Sequence, residues 1–131
     1  MIKQTLIMRK DLKMRRGKEI SQGAHASMAW LTKRLQNQHV DLFGNVQAET
    51  YFEPHEWEWV KGLFTKICLQ VDSEQELRDI YDKARAAGLV AELITDAGLT
   101  EFNGVPTVTC CAIGPDESEK IDLITGHLKL Y

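Results

Sequence analysis

Hydrophobic and polar positions divide the chain into segments of two different periods. Residues 2–9 alternate and are rich in β-branched side chains, which predicts a first strand. From residue 17 to about 38 the apolar positions recur at helical spacing, and we expect a helix that turns this stripe toward the core. The stripe consists of Ile20, Ala24, Met28, Leu31 and Leu35.

The rest of the pattern continues the alternation of strands and helices. An S-x-x-E capping box at Ser73 opens a second helix, and Gly88 stands where a helix ends. The elements after the first helix are predicted as a strand at 64–71, a helix from Ser73 to Gly88, strands at 90–95 and 107–114, and a helix at 115–126. The order β-α-β-α-β-β-α predicts one α/β domain over residues 1–131, with a mixed four-stranded sheet and helices on both faces.

One segment, at about 37–63, fits neither period. It is rich in aromatic residues, and we describe it as an irregular insertion that contains a short helix within HEWEWVKGLF (55–64). A connection of this length is typical of functional or oligomer-contacting loops. Phe52, Trp57 and Trp59 are candidates for an apolar contact surface or for packing of the loop itself.

Composition excludes several classes of protein. With 44% hydrophobic and 27% charged residues the chain is typical of a globular domain, and no apolar run predicts a membrane span. The three cysteines, Cys68, Cys110 and Cys111, form no disulfide pattern, because neighbouring residues of a strand point to opposite faces. A reducing cytoplasm is therefore expected, and no His or Cys spacing indicates a metal or other cofactor.

Positive charge is concentrated in one short run. The net charge is −3, yet residues outside 9–18 include 10 basic and 18 acidic side chains. Local charge governs which ligands a surface attracts, so the run favours an anionic partner, although a solvated helix entry would have the same composition. The basic residues of the run are Arg9, Lys10, Lys13, Arg15, Arg16 and Lys18.

Lys18, Gln22 and His25 share one face of the predicted first helix, away from its apolar stripe. A cation, an amide and an imidazole near a helix N-terminus suit an anionic group, because backbone N–H groups and the helix dipole favour negative charge there. The same spacing is typical of the polar outer face of an amphipathic helix.

Further candidates lie at two strand ends. Asp96 closes the third predicted strand, where ligands of α/β sheets bind, although an Asp also commonly begins a turn. Thr107 and Thr109 begin the fourth strand and share a face by the period of two, which ordinary strand propensity also explains.

These residues occur within segments that together resemble the type 2 peptidyl-tRNA hydrolases. Three segments carry the resemblance: RKDLKMRRGKEISQGAHAS (9–27), ITDAGLTEF (94–102) and VPTVTCCAIGPDESEKIDLITGHLKLY (105–131). Residues 64–88 are in addition similar to the middle portion of the family. Each piece alone is common, whereas the four in this order are specific to the family.

The resemblance implies a cytoplasmic enzyme that hydrolyses the ester between a peptide and the 3′-terminal ribose of tRNA, without a metal or organic cofactor, usually as a homodimer. By motif, the proposed active-site residues are Lys18, Gln22, His25, Asp96 and Thr107. We expect Asp96 and His25 to activate water and Lys18 and Thr107 to stabilise the oxyanion. Substrate contacts are expected from Gln22 and Thr109, and tRNA phosphate contacts from Arg9, Lys10, Lys13, Arg15 and Arg16.

The chain departs from the family at three places. Leu99 stands where Arg commonly follows DAG, the loop before Thr107 is one residue longer, and the 37–63 segment exceeds the expected link. Two alternatives therefore stay open: an RNA-binding module of this fold without catalysis, and a small-ligand or protein-interaction domain whose helix face is merely solvated.

Overall fold

The computed structural model describes residues 1–131 and contains one main sheet, one small hairpin and four helices. Its elements in chain order are β1 (Ile2–Arg9), α1 (Arg16–Arg34), β2 (Gln38–Val40), β3 (Val46–Ala48), α2 (Pro54–Lys61), β4 (Lys66–Val71), α3 (Glu74–Ala86), β5 (Ala91–Asp96), β6 (Thr107–Glu117) and α4 (Ser118–Thr125). None of the helices combines the length and apolarity that crossing a membrane requires.

The main sheet is mixed, as the order of elements predicted. Its strands lie in the order β4-β1-β6-β5. β1 pairs in parallel with β4, and the chain between them includes α1, whereas β6 is antiparallel to both of its neighbours. The strand β6 continues to Glu117, so the last helix begins at Ser118 rather than at residue 115.

Helices cover both faces of this sheet. Alternate residues of β6 pack on opposite faces of the sheet. Cys111 and Ile113 belong to the cluster with α3 and α4, whereas Cys110 and Ala112 belong to the cluster with α1. The opposite facing of Cys110 and Cys111 is thus confirmed. Burial raises the pKa of the Cys110 thiol to about 12, so this thiol stays protonated at neutral pH.

The orientation of α1 differs from the prediction. The first three positions of the stripe that was expected in the core are turned outward, with Ile20 66% and Met28 48% exposed, whereas Leu31 and Leu35 are half-buried. The side facing the sheet instead contains Gly23 and Ala26, which allow close approach, and Gln22, which is 1% exposed. A buried amide is tolerated here because its polar atoms are hydrogen-bonded, a condition that hydrophobic periodicity does not report.

The 37–63 segment is more regular than expected. It forms the hairpin of β2 and β3 and then α2, which confirms the short helix inside it. The helix α2 is anchored by the buried Trp59, whose Nε1–H donates to the Thr65 carbonyl at 2.8 Å. Glu56, also buried, accepts two hydrogen bonds from the Arg34 guanidinium at 2.6 and 2.7 Å.

Trp59 and Phe52 both pack edge-on against Trp30 of α1, so these aromatics mainly fix the insertion to that helix.

Candidate active site

The end of β5 and the first turns of α1 bring a carboxylate, a cation and an amide together. Asp96 accepts hydrogen bonds at Oδ1 from the Lys18 ammonium at 2.8 Å and from the Gln22 amide at 3.0 Å. Its Oδ2 accepts from the Gly98 N–H at 2.8 Å, which makes a short side-chain-to-backbone turn. The side chains of Lys18 and Asp96 are each 13% exposed, so solvent screens this ion pair less than a surface pair.

The charge state of Asp96 follows from these contacts. The hydrogen bond from Lys18 lowers the pKa of the Asp96 carboxyl, and the Gly98 N–H and the Gln22 amide act in the same direction against the opposing effect of burial. The carboxylate is therefore ionised across the physiological range, which keeps Lys18 in place and makes Asp96 a weak base.

Thr109 fixes the direction of the Gln22 amide. Its hydroxyl donates to Gln22 Oε1 at 2.6 Å, and both residues are almost fully buried. Since Oε1 is occupied by this donor, Nε2 is held toward Asp96. The Cys110 thiol donates to the Gln22 backbone carbonyl at 3.4 Å, so two successive residues of β6 contact α1.

A β-bulge explains why successive residues of one strand contact the same helix. In the pairing of β5 with β6, Ile94 lies opposite Cys110 and Thr95 lies opposite Val108, which leaves Thr109 as the extra residue. A bulge re-aims a side chain that regular alternation would place on the other face. Thr109 reaches Gln22 through this irregularity.

Lys18 has one N–H left for a ligand. An ammonium has three N–H donors, of which one is bonded to Asp96 and a second to the Thr100 hydroxyl at 3.0 Å. The Phe102 ring lies 5.9 Å from Lys18 Nζ and forms one side of the site. The remaining donor makes Lys18 the group best suited to bind a negatively charged oxygen.

The loop after β5 is held in shape by a glycine. Gly98 has a φ of +81°, and a Cβ at this residue would lie 2.4 Å from the Val105 carbonyl oxygen. The two arms of the loop therefore approach more closely than any side chain would allow. This approach carries Thr100 back over Lys18.

Two residues expected in the site are not part of this network. His25 is exposed and forms no hydrogen bond with another side chain; it lies three residues, about 4.5 Å along the helix axis, beyond Gln22. The Thr107 hydroxyl donates to the Val105 carbonyl of its own loop at 2.8 Å. The hydrogen-bond network therefore brings together Lys18, Gln22, Asp96 and Thr109. Thr107 lies opposite Asp96 in the sheet, and its expected role and that of His25 stay predictions.

Thr100 was not among the residues predicted from sequence. A single threonine four residues after Asp96 has no sequence signal of its own, and only the tight turn at Gly98 brings Thr100 to Lys18. No group of three or more His, Cys, Asp or Glu side chains lies close enough together to hold a metal ion.

The basic run divides into three parts. Lys10, Lys13 and Arg16 are exposed and form no ion pair. Arg15 is 81% exposed at its side chain and pairs with Glu101 at 3.0 Å.

Arg9, the first residue of the run, is held by partners within the protein, and its expected contact with phosphate stays a prediction. Its guanidinium is 10% exposed and donates to both Asp11 carboxylate oxygens, at 3.1 and 2.6 Å. It also donates to the Val108 carbonyl at 2.9 Å. These partners neutralise the charge and leave little of it for a ligand.

A partly free ammonium and an oriented amide lie beside the Asp96 carboxylate at the end of β5, and fixed donors of this kind are typical of sites that bind a negatively charged oxygen. The model of the family described as peptidyl-tRNA hydrolase PTH2 matches residues 2–131. The chain belongs to this family, which confirms the resemblance of its motifs.

Relatives from archaea match over essentially their whole length. A peptidyl-tRNA hydrolase of Methanocaldococcus jannaschii is 42% identical over 98% of this chain and 99% of its own. One from Nanoarchaeum equitans is 40% identical over the full length of both chains. A solved structure of a protein of unknown function from Agrobacterium tumefaciens has a TM-score of 0.55 at 15% identity, covering 98% of this chain and 96% of its own, and therefore shares the fold alone.

Proposed function

We propose that this protein hydrolyses the ester bond that joins a peptide to the 3′-terminal ribose of tRNA. The observation that carries the proposal is the free N–H of Lys18, held beside the ionised Asp96 and the oriented Gln22 amide. Membership of the peptidyl-tRNA hydrolase family supports the substrate. Ester hydrolysis requires stabilisation of a tetrahedral oxyanion, which is the task that this arrangement of donors suits.

The chemistry proceeds by direct attack of water. No Ser or Cys side chain takes part in the network, the buried Thr109 hydroxyl already donates to Gln22, and no general base accepts a hydrogen bond from the Thr100 hydroxyl, so the site lacks an activated nucleophile of its own. Asp96 positions the water and accepts one of its protons while the new C–O bond forms, and Lys18 binds the carbonyl oxygen as it becomes negative. The bond to the ribose oxygen then breaks, and that oxygen takes the proton from Asp96, which regenerates the carboxylate.

Most of the rate enhancement comes from charge stabilisation rather than from strong basicity. The lowered pKa of Asp96 limits its strength as a base, whereas Lys18 and the Gln22 amide are fixed before the substrate arrives. Fixed donors of this kind contribute about 10²-fold to 10³-fold each. Thr107 lies opposite Asp96 in the sheet, but neither its hydroxyl nor the His25 ring forms a hydrogen bond with these groups, so we assign neither an essential chemical step.

The tRNA backbone binds along the exposed part of the basic run. Lys10, Lys13 and Arg16 have no acidic partners, and they directly precede or begin α1, whose next turn contains Lys18. Phosphate contacts of this kind do not depend on base sequence, which suits an enzyme that acts on many tRNAs. Arg15 can join them when Glu101 releases it.

We place this activity in the cytoplasm and assign it to a homodimer. Three free cysteines support a reducing compartment. The outward apolar stripe of α1 supports association with a second copy, because exposed apolar patches of this kind mark contact surfaces. Sedimentation velocity over a range of protein concentrations tests the dimer directly.

The function is tested by release of an N-blocked amino acid from charged tRNA. Lys18→Met should lower kcat by about 10²-fold or more because it removes the charge at the oxyanion. The matched control is Lys33→Met, since Lys33 is also on α1 and also pairs with a β5 carboxylate, that of Glu92. Equal activity of the two variants would contradict the site, and RNA binding without any release would identify a non-catalytic RNA-binding module.

A further inference from the structure

A long apolar groove runs along the side of α1 that faces away from Asp96. It has a volume of about 560 Å³, and the sheet surface of β1 and β4 forms its floor. We define the α1 groove by six residues that line it: Leu6, Met8, Ile20, Ala24, Met28 and Phe64. No residue of the hairpin or of α2 lines it, so the chain leaves this apolar surface uncovered.

The hairpin at residues 38–48 projects apolar side chains that contact no other part of the chain, whereas the α1 groove is an uncovered apolar concavity. Every residue of β2 and β3 is exposed, Leu42 is fully exposed and Phe43 is 88% exposed. A two-stranded hairpin with nothing packed against it is only marginally stable in water. Leu42 and Phe43 at its tip therefore form a second exposed apolar surface.

The tip has a defined shape. The Asp41 carboxylate accepts hydrogen bonds from the backbone N–H groups of Phe43 and Asn45 at 2.8 and 2.9 Å, and Gly44 supplies the positive φ of the turn. A tip that is already ordered loses little conformational entropy on binding. We define the hairpin tip as residues 41–46.

Charges at the two surfaces are complementary. The hydrogen bonds from Asn45 and Phe43 lower the pKa of the Asp41 carboxyl, which therefore stays negative beside Leu42. Arg16 and Lys66 line the groove and form no ion pair, and Glu19 is the one side-chain carboxylate in its wall, with an Oε2 that forms no hydrogen bond. An apolar tip that carries one negative charge thus matches an apolar groove in which two cations outnumber one side-chain carboxylate.

We propose that the hairpin tip of one protomer inserts into the α1 groove of a second copy of this chain, and that the second copy reciprocates. This inference rests on the homodimer assigned above and names the segments that form it. A two-fold arrangement buries both tips and both grooves at once and leaves no free apolar site for further association. In this dimer the 37–63 segment, which follows α1, forms the contact of each subunit with the other.

Sedimentation velocity of tip variants tests the proposal. Leu42→Asp combined with Phe43→Asp should raise the dimer dissociation constant by at least about 100-fold, because two apolar side chains in each protomer lose their burial. The control is Leu123→Asp on α4, since Leu123 is 87% exposed and lies outside the groove. Thermal unfolding of the isolated monomers should be equal, because the changed side chains contact nothing within their own chain.

Disulfide capture gives a second readout. In a Cys68→Ser background, protein with Leu42→Cys is mixed with protein with Met28→Cys and oxidised, and a bond between protomers is expected. Leu123→Cys in place of Met28→Cys should give none. A dimer that the tip variants leave intact would overturn the tip-in-groove contact but not the dimer, and a monomeric parent protein would overturn both. Loss of tRNA affinity with an unchanged dimer would show instead that the tip contacts RNA; in none of these cases is hydrolysis itself in question.

Discussion

The role of Thr109 gives the sharpest test of the site, because a matched residue lies two positions away. Thr109→Val removes one hydroxyl and nearly preserves the shape of the side chain. Thr109 is 0% exposed and Gln22 is 1% exposed, so the loss leaves Gln22 Oε1 buried without its donor. An unsatisfied buried acceptor costs about 1–3 kcal/mol, which we expect in the free energy of unfolding.

Activity should fall for a different reason. Without the Thr109 donor, the Gln22 amide can rotate and present Oε1 to the Asp96 carboxylate, which weakens the donor set around Lys18. We expect a reduction in kcat of about 10-fold to 100-fold, less than the loss of a donor that itself binds the oxyanion. KM should change little, since Thr109 is too deeply buried to touch tRNA.

Thr107→Val is the control for both measurements. Thr107 lies opposite Asp96 in the sheet, but its hydroxyl donates to the Val105 carbonyl of the adjacent loop and forms no hydrogen bond with the network. Single-turnover release of N-acetylated amino acid from charged tRNA and urea unfolding of both variants complete the comparison. If Thr107→Val lost more activity than Thr109→Val, the assignment of the threonine and the role of the bulge would both be wrong.

Three further variants separate chemistry, RNA contact and structure. His25→Ala should keep kcat within about fivefold and leave the pH–rate profile unchanged, because His25 is outside the network; a loss above about 100-fold would make it the base. Arg9→Gln should lower the free energy of unfolding, measured in urea, by about 1–3 kcal/mol, since it removes the donor to the carbonyl of the buried Val108 and the pair with Asp11. Lys10→Gln with Lys13→Gln should instead leave stability unchanged and flatten the salt dependence of KM. Gly98→Ala should destabilise by about 1–3 kcal/mol and reduce hydrolysis, because its Cβ meets the Val105 carbonyl; wild-type melting and activity would refute the close approach.

The pH dependence of Asp96 can also be stated with its sign. Its pKa is lowered in the folded protein, so the stabilisation from the Lys18 pair is fully present above the ordinary Asp value of about 4 and is lost as pH falls through the lower folded value. Asp96→Asn should therefore flatten the acid limb of the stability profile below about pH 4. An acid limb identical to that of the parent protein would mean that the ion pair does not stabilise the fold.

The strands and helices follow from local pattern wherever that pattern is set by the core. The capping box at Ser73 and the alternation in β1 are local signals, and the elements they predict occur at the expected places. The contact of Thr109 with Gln22 depends on a bulge, which arises from how β5 and β6 pair and has no local signature. For the same reason Thr107 and Thr109 are equivalent by periodicity but differ in the folded chain.

Two features of α1 differ from the prediction, the buried Gln22 amide and the exposed apolar residues, and both result from the rotation of the helix about its axis. Turning Gln22 toward Asp96 and Thr109 necessarily turns Ile20 and Met28 outward. Leaving each such apolar side chain exposed forgoes about 1.5–3 kcal/mol, whereas each buried hydrogen bond of Gln22 returns only about 1 kcal/mol. The isolated chain therefore forgoes part of the apolar burial that Ile20 and Met28 offer, as expected where a functional site overrides local preference. A second copy that covers the α1 groove recovers this deficit, so that the geometry of the catalytic network and the proposed dimer contact have the same physical origin.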